Sequence, residues 1–139
     1  MTQENKELLL KDLCARLPYN VMVNVEGYDT EKLIGIENET ITTKATPTSY
    51  SDKGEYPIDI VKPFLRPMSN MTEEEYDDMF HQLYLGQEEF FRNCSNADTI
   101  GKIIGKDMVI YDFLTKKMFD FRCLIPKGLA LVAPEGMYN

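Results

Sequence analysis

Val61-Lys62-Pro63-Phe64-Leu65-Arg66-Pro67-Met68-Ser69-Asn70-Met71-Thr72-Glu73-Glu74-Glu75 reads as the end of a strand, a proline-pinned linker and the start of a capped helix. Pro63 and Pro67 fix φ and lack a backbone N–H, so they end whatever regular element precedes them. Thr72 with Glu75 three residues on forms a capping box, and Met71 with Tyr76 forms a hydrophobic staple around it. Glu73, Glu74 and Glu75 stand where the helix dipole favours negative charge. The expectation is a β-patterned half before this boundary and a helical half after it.

Downstream, Tyr76, Met79, Phe80, Leu83, Phe90 and Phe91 recur at helical spacing and predict a helix from Glu73 to about Arg92, with an apolar face and an acidic back. Gly86 weakens it by ~1 kcal/mol relative to alanine. Cys94 to Asp98 reads as a turn, and Ile100, Ile103 and Ile104 fit either a short helix or a buried strand. Val109, Ile110, Phe113 and Leu114 predict a further helix over 107–117, with Lys116 and Lys117 suited to its C-terminal end. A connector over Met118 to Arg122 and a last apolar element over Leu124 to Val132 follow.

Upstream, Leu9, Leu10, Leu13, Cys14 and Leu17 mark an amphipathic helix with Lys6, Glu7, Lys11 and Asp12 on its other side, stopped by Pro18. Tyr19, Val21, Val23 and Val25 alternate with polar or flexible residues and predict a strand. Lys32 to Ile36, Thr40 to Thr43 and Ile58 to Val61 predict three more, with loop composition over Ala45 to Glu55. The chain is therefore expected to be one α+β domain over residues 1–139: a helix over 1–18, a β-rich part over 19–66 folded as a small bent antiparallel sheet or SH3-like barrel, and C-terminal helices within 72–139.

At 139 residues and 43% hydrophobic, the chain is long enough for one substantial core. No apolar run approaches a membrane span, and the N-terminus lacks the pattern of a signal peptide, so the expectation is a cytoplasmic protein with no membrane association. Residues 67–100 hold eight acids against one base, −7 of a total charge of −8, which argues against direct nucleic-acid binding. Three widely separated cysteines suggest buried or half-buried free thiols rather than disulfides, and a lone histidine gives no metal knuckle; no cofactor or metal is expected.

Candidate chemistry is sparse. Gly101 to Lys106 has three residues between its glycines where a phosphate loop needs four, and Asp107 replaces the Ser or Thr that would hold magnesium, so it reads as a turn with solvated lysines. His81 beside Asp77 and Asp78 has no nucleophile to serve, and the acids lack the spacing of a calcium loop. The expectation is a protein without enzymatic activity. The residues that remain are Glu73, Glu74, Asp77, Asp78 and Glu88 as a partner surface, and Arg66 and Arg122 as anion contacts or, preferably, structural pairs. For Arg122 the expected partner is Asp120.

Three blocks carry a resemblance: Lys11-Asp12-Leu13-Cys14-Ala15-Arg16-Leu17-Pro18-Tyr19, the stretch Lys62 to Glu75, and Phe119-Asp120-Phe121-Arg122-Cys123-Leu124-Ile125-Pro126-Lys127-Gly128-Leu129-Ala130-Leu131 with Ala133 to Tyr138. Together they resemble a family of short proteins encoded by phages and prophages of gut Bacteroidales. Asn20 and Cys123 stand where that pattern would have glycine. The resemblance implies a genetic setting and no mechanism. It joins the residue-level reading in an expected non-catalytic accessory protein that binds a host or phage protein. Two alternatives are a small-molecule or cyclic-nucleotide sponge built on basic residues and an acidic DNA mimic. The oligomeric state is not encoded in any of these features.

Overall fold

A computed structural model describes the backbone over 1–45, 53–93 and 99–138, and the side chains over the same stretches except 45, 84–93 and 99–106. Helix α1 (Gln3–Arg16) begins at Thr2, whose hydroxyl accepts the Asn5 N–H, and runs into a 3-10 turn at Leu17–Tyr19. Strands β1 (Met22–Val25), β2 (Thr30–Glu37), β3 (Thr40–Ala45), β4 (Gly54–Pro57), β5 (Val61–Leu65) and β6 (Leu131–Val132) form one open sheet in the order β4-β3-β2-β1-β5-β6. All neighbours are antiparallel except β5 and β6. Of the two forms expected for the β part, the open sheet is the one observed. Helices α2 (Glu73–Asn93) and α3 (Thr99–Lys116) intervene between β5 and β6.

Alternation along the strands sets the core. Val23 and Val25 of β1, Leu33 of β2, Ile41 of β3, and Val61 and Leu65 of β5 all face Leu9 and Leu13 of α1, with Met118, Leu124 and Leu129 closing the end. Each such aliphatic side chain contributes ~1.5–3 kcal/mol by burial, so this cluster is the main source of stability. A second cluster, Phe113, Leu114 and Phe119, receives Met71, Met79, Ile110 and Phe121 and fixes α2 on α3.

Several expectations shift. The first strand starts at Met22 because Asn20 adopts a left-handed turn with φ 61, leaving Tyr19 outside the sheet. Ile58–Ile60 is a 3-10 turn, and the strand begins at Val61 and includes Pro63. Pro63 is tolerated there because Glu26 donates to Ile60 O, which puts Pro63 opposite Val23 at a position with no β1–β5 hydrogen bond to lose. Of the expected 45–55 loop, residues 46–52 lie outside the described residues, while Gly54 and Glu55 belong to β4. The predicted turn at 94–98 also lies outside them. Gly101 to Lys106 is inside α3, far from the strand-to-helix turn a phosphate loop requires. The final apolar element is mostly turns, but its end is a strand that returns to the sheet beside β5. Cys14 and Cys123 are exposed rather than buried.

Asn20 at φ 61 and Cys123 at φ 58 both lie in the left-handed region. That region costs a non-glycine residue free energy, which is a physical reason for glycine there.

Candidate functional site

The hinge is a junction of three elements. After β5, Arg66 bridges to the segment following α3: its N–H donates to Met118 O at 2.7 Å, and its carbonyl accepts from Asp120 N–H at 2.8 Å. Pro67 then turns the chain, Met68–Asn70 makes one 3-10 turn, and α2 starts at the expected cap. Glu75 N–H donates to Thr72 Oγ1 at 3.1 Å, and Thr72 N–H donates to Glu75 Oε1 at 3.3 Å, closing the capping box. Met71 packs into the second core cluster and lines one hollow with Tyr76, whose ring also pairs edge to face with Phe80.

Arg66 lies over the Phe119 ring at 4.2 Å and donates from both terminal nitrogens to the Glu75 carboxylate, each at 2.7 Å. The Arg66 hydrogen bond holds the Glu75 carboxyl down at about 2, with the Thr72 contacts assisting against a desolvation penalty. An arginine so engaged is a structural pair, and its charge is neutralised in place. It borders an open groove of about 700 Å³, together with Thr72, Glu75 and Lys117 on one side and residues 133–138 on the other.

That second wall is fastened by Tyr138. Its hydroxyl accepts the Met22 N–H at 3.0 Å and donates to Phe64 O at 2.7 Å. Met22 and Phe64 are the next hydrogen-bonding pair of the β1–β5 ladder, so the hydroxyl is inserted between two backbone groups that would otherwise bond directly. Burial pushes the phenol up to about 12.

Arg122 occupies a different place. It packs on the rings of Phe121 (4.7 Å) and Tyr111 (5.3 Å), donates to Tyr111 Oη at 3.0 Å and approaches Asp12 Oδ1 at 3.8 Å. Asp120, its expected partner, instead accepts the Leu124 and Ile125 N–H groups at 2.8 and 2.9 Å and closes the turn by itself. The main partner of Asp12 is Arg16, in a fully buried bidentate pair at 2.8 and 3.1 Å. Arg16 also donates to Thr115 O and Phe119 O, so it ties α1 to the end of α3. Asp12 was expected on the solvent side of its helix. It is buried because it and Arg16 are one turn apart on the face that carries Leu9 and Leu13. An Asp-to-Arg i,i+4 spacing beside those leucines was the available signal.

The expected partner surface is at the exposed start of α2. Glu73, Glu74, Asp77 and Asp78 are all exposed, whereas the side chain of Glu88 lies outside the described residues. Tyr76 and Phe80, expected on the apolar face, are 51% and 49% exposed and meet edge to face with centroids 4.7 Å apart. Met79 takes the inward position instead. On the Tyr76 side of this pair, Met71, Thr72, Glu73, Tyr76 and Asp77 line an open hollow of about 370 Å³. Behind it, Glu74, Asp77, Asp78, His81 and Lys117 line a second shallow depression.

Among the described residues, no group of three His, Cys, Asp or Glu side chains could hold a metal ion, and no helix is long and apolar enough to cross a membrane. Comparisons with protein-family models, curated proteins and solved structures give no match.

Proposed function

We propose that this is a non-catalytic accessory protein that acts by binding another protein, with the exposed acidic and aromatic start of α2 as its contact surface. The carrying observation is the Tyr76–Phe80 pair, two large rings half exposed on a helix whose other exposed residues over 73–80 are carboxylates. Exposed aromatics are enriched in protein interfaces, where they act as anchors, and flanking charge steers encounter. The phage and prophage setting suggested by the three sequence blocks makes the partner a host or phage protein.

A sponge for cyclic nucleotides would need a shared cationic pocket. Arg66 and Arg122 lie in separate places, each against rings and each near a carboxylate, which favours the protein-binding reading. The test is affinity capture with wild type and a Tyr76→Ser/Phe80→Ser variant as baits. The expected result is a saturable complex that the variant loses. Failure to form any such complex, with a tightly held small molecule found by native mass spectrometry, would overturn the proposal.

A further inference from the structure

Glu73, Tyr76, Asp77 and Phe80 follow the i, i+3, i+4, i+7 spacing and so form one outward stripe on α2. Two rings and two carboxylates on one exposed face combine the two things a guanidinium takes: an aromatic face to stack on and a fork of oxygens to bond. The same combination recurs within the fold. Arg66 is seated between Glu75 and the Phe119 ring, Arg16 between Asp12 and Phe121, and Arg122 against Tyr111 and Phe121 with Asp12 at 3.8 Å. In those places the arginine comes from the chain itself. On the α2 stripe the rings are half open to solvent beside a hollow lined by Glu73 and Asp77.

We infer that this stripe docks a basic, arginine-bearing segment of the partner protein, one guanidinium stacking on the Tyr76–Phe80 pair while Glu73 and Asp77 accept its N–H groups. The inference rests on the protein-binding reading and names the partner's chemistry. Arginine is preferred over lysine because a planar guanidinium stacks and bonds at once, whereas an ammonium is a compact, strongly hydrated point charge. Nucleic acid is disfavoured by the charge of −7 over residues 67–100.

The experiment titrates isotope-labelled protein with a blocked heptapeptide alternating glycine and arginine, and with its lysine and citrulline counterparts, at physiological salt. The expected result is saturable binding of the arginine peptide, with shifts at the Tyr76, Asp77 and Phe80 amides, about tenfold tighter than the citrulline peptide. Tyr76→Leu/Phe80→Leu keeps the apolar area and the acids but removes the rings, and it should weaken binding about tenfold. Both side chains are half exposed, so an unchanged denaturation midpoint is expected for this variant. Two results overturn the inference: no saturable binding, or binding that survives loss of the rings but not Glu73→Gln/Asp77→Asn, which is plain acidic attraction. A captured complex that needs Tyr76 and Phe80 alongside a silent arginine peptide would sink this inference and leave the proposed function standing. Peptide binding without any captured complex would do the reverse.

Discussion

Replacing Tyr138 by phenylalanine removes a single oxygen and leaves the ring, so no cavity opens and the effect isolates two hydrogen bonds. The oxygen serves the Met22 N–H and Phe64 O, backbone groups from two neighbouring strands. If the strands stay where they are, a partly buried donor and acceptor both lose their partner, at ~1–3 kcal/mol each. If the strands close up, the two groups can bond directly and most of that is recovered. The expected loss is therefore about 2 kcal/mol, between these limits. Urea denaturation at pH 7 measures it as a lower midpoint at unchanged slope. The phenol adds a second signature. It titrates near 10.0 when unfolded and at about 12 when folded, so folding favours the protonated form. Its contribution is complete below pH 10 and is lost as pH rises through 12, on the order of 3 kcal/mol when fully developed. Wild type should lose stability more steeply than Tyr138→Phe across that window. A loss under about 0.5 kcal/mol at pH 7 with parallel alkaline profiles would show that the hydroxyl does not bridge the strands.

Thr72→Ala should cost ~1 kcal/mol through the cap, read by chemical denaturation. Glu75→Gln should cost about 1–2 kcal/mol at neutral pH, allowing for solvent screening of the Arg66 pair. The depressed Glu75 carboxyl contributes stability that is present above pH 4.5 and lost as pH falls through about 2, so the variant's acid profile should be flatter. Arg16→Met leaves the buried Asp12 carboxylate without its main partner and should cost ~3–5 kcal/mol, whereas Asp12→Leu/Arg16→Met should recover most of it, as thermal and urea melts would show. Cys123→Gly relieves an exposed left-handed residue and should stabilise by about 0.5 kcal/mol, the strain relief being partly offset by unfolded-state entropy.

The hinge was legible because its signals are local. A capping box and a proline act within four residues, and the α2 start is where they put it. The alternating valines of β1 were legible for the same reason. Features made by long-range closure were not. Leu131–Val132 looks like the end of an apolar run, and only its return beside Phe64 and Leu65 makes it a strand. Tyr138 carries no sequence sign that its hydroxyl will enter a ladder between residues 22 and 64. At the candidate site, the acids were legible as a charge run. The rings were misplaced, because helical spacing gives two apolar rows on α2 and cannot say which one α3 will cover. Met79 faces the Phe113 cluster, which turns Tyr76 and Phe80 outward.

That rotation links the architecture to the binding reading. The Glu75–Arg66 pair and the capping box fix the azimuth of α2 at its first turn, since a helix cannot roll without breaking a bidentate contact and two cap bonds. With the azimuth fixed, Met79 points inward and the Glu73, Tyr76, Asp77, Phe80 stripe is held toward solvent. Releasing Arg66 should therefore loosen the presentation of the stripe before it unfolds the sheet, because, among the described residues, the main core of Leu9, Leu13, Val23 and Leu65 contains none from α2. Hydrogen exchange on Arg66→Met tests this: amides of 76–80 should exchange faster while those of β1 and β2 stay protected. Uniform acceleration across both regions would mean that α2 and the sheet unfold as one unit and that the pair serves global stability instead.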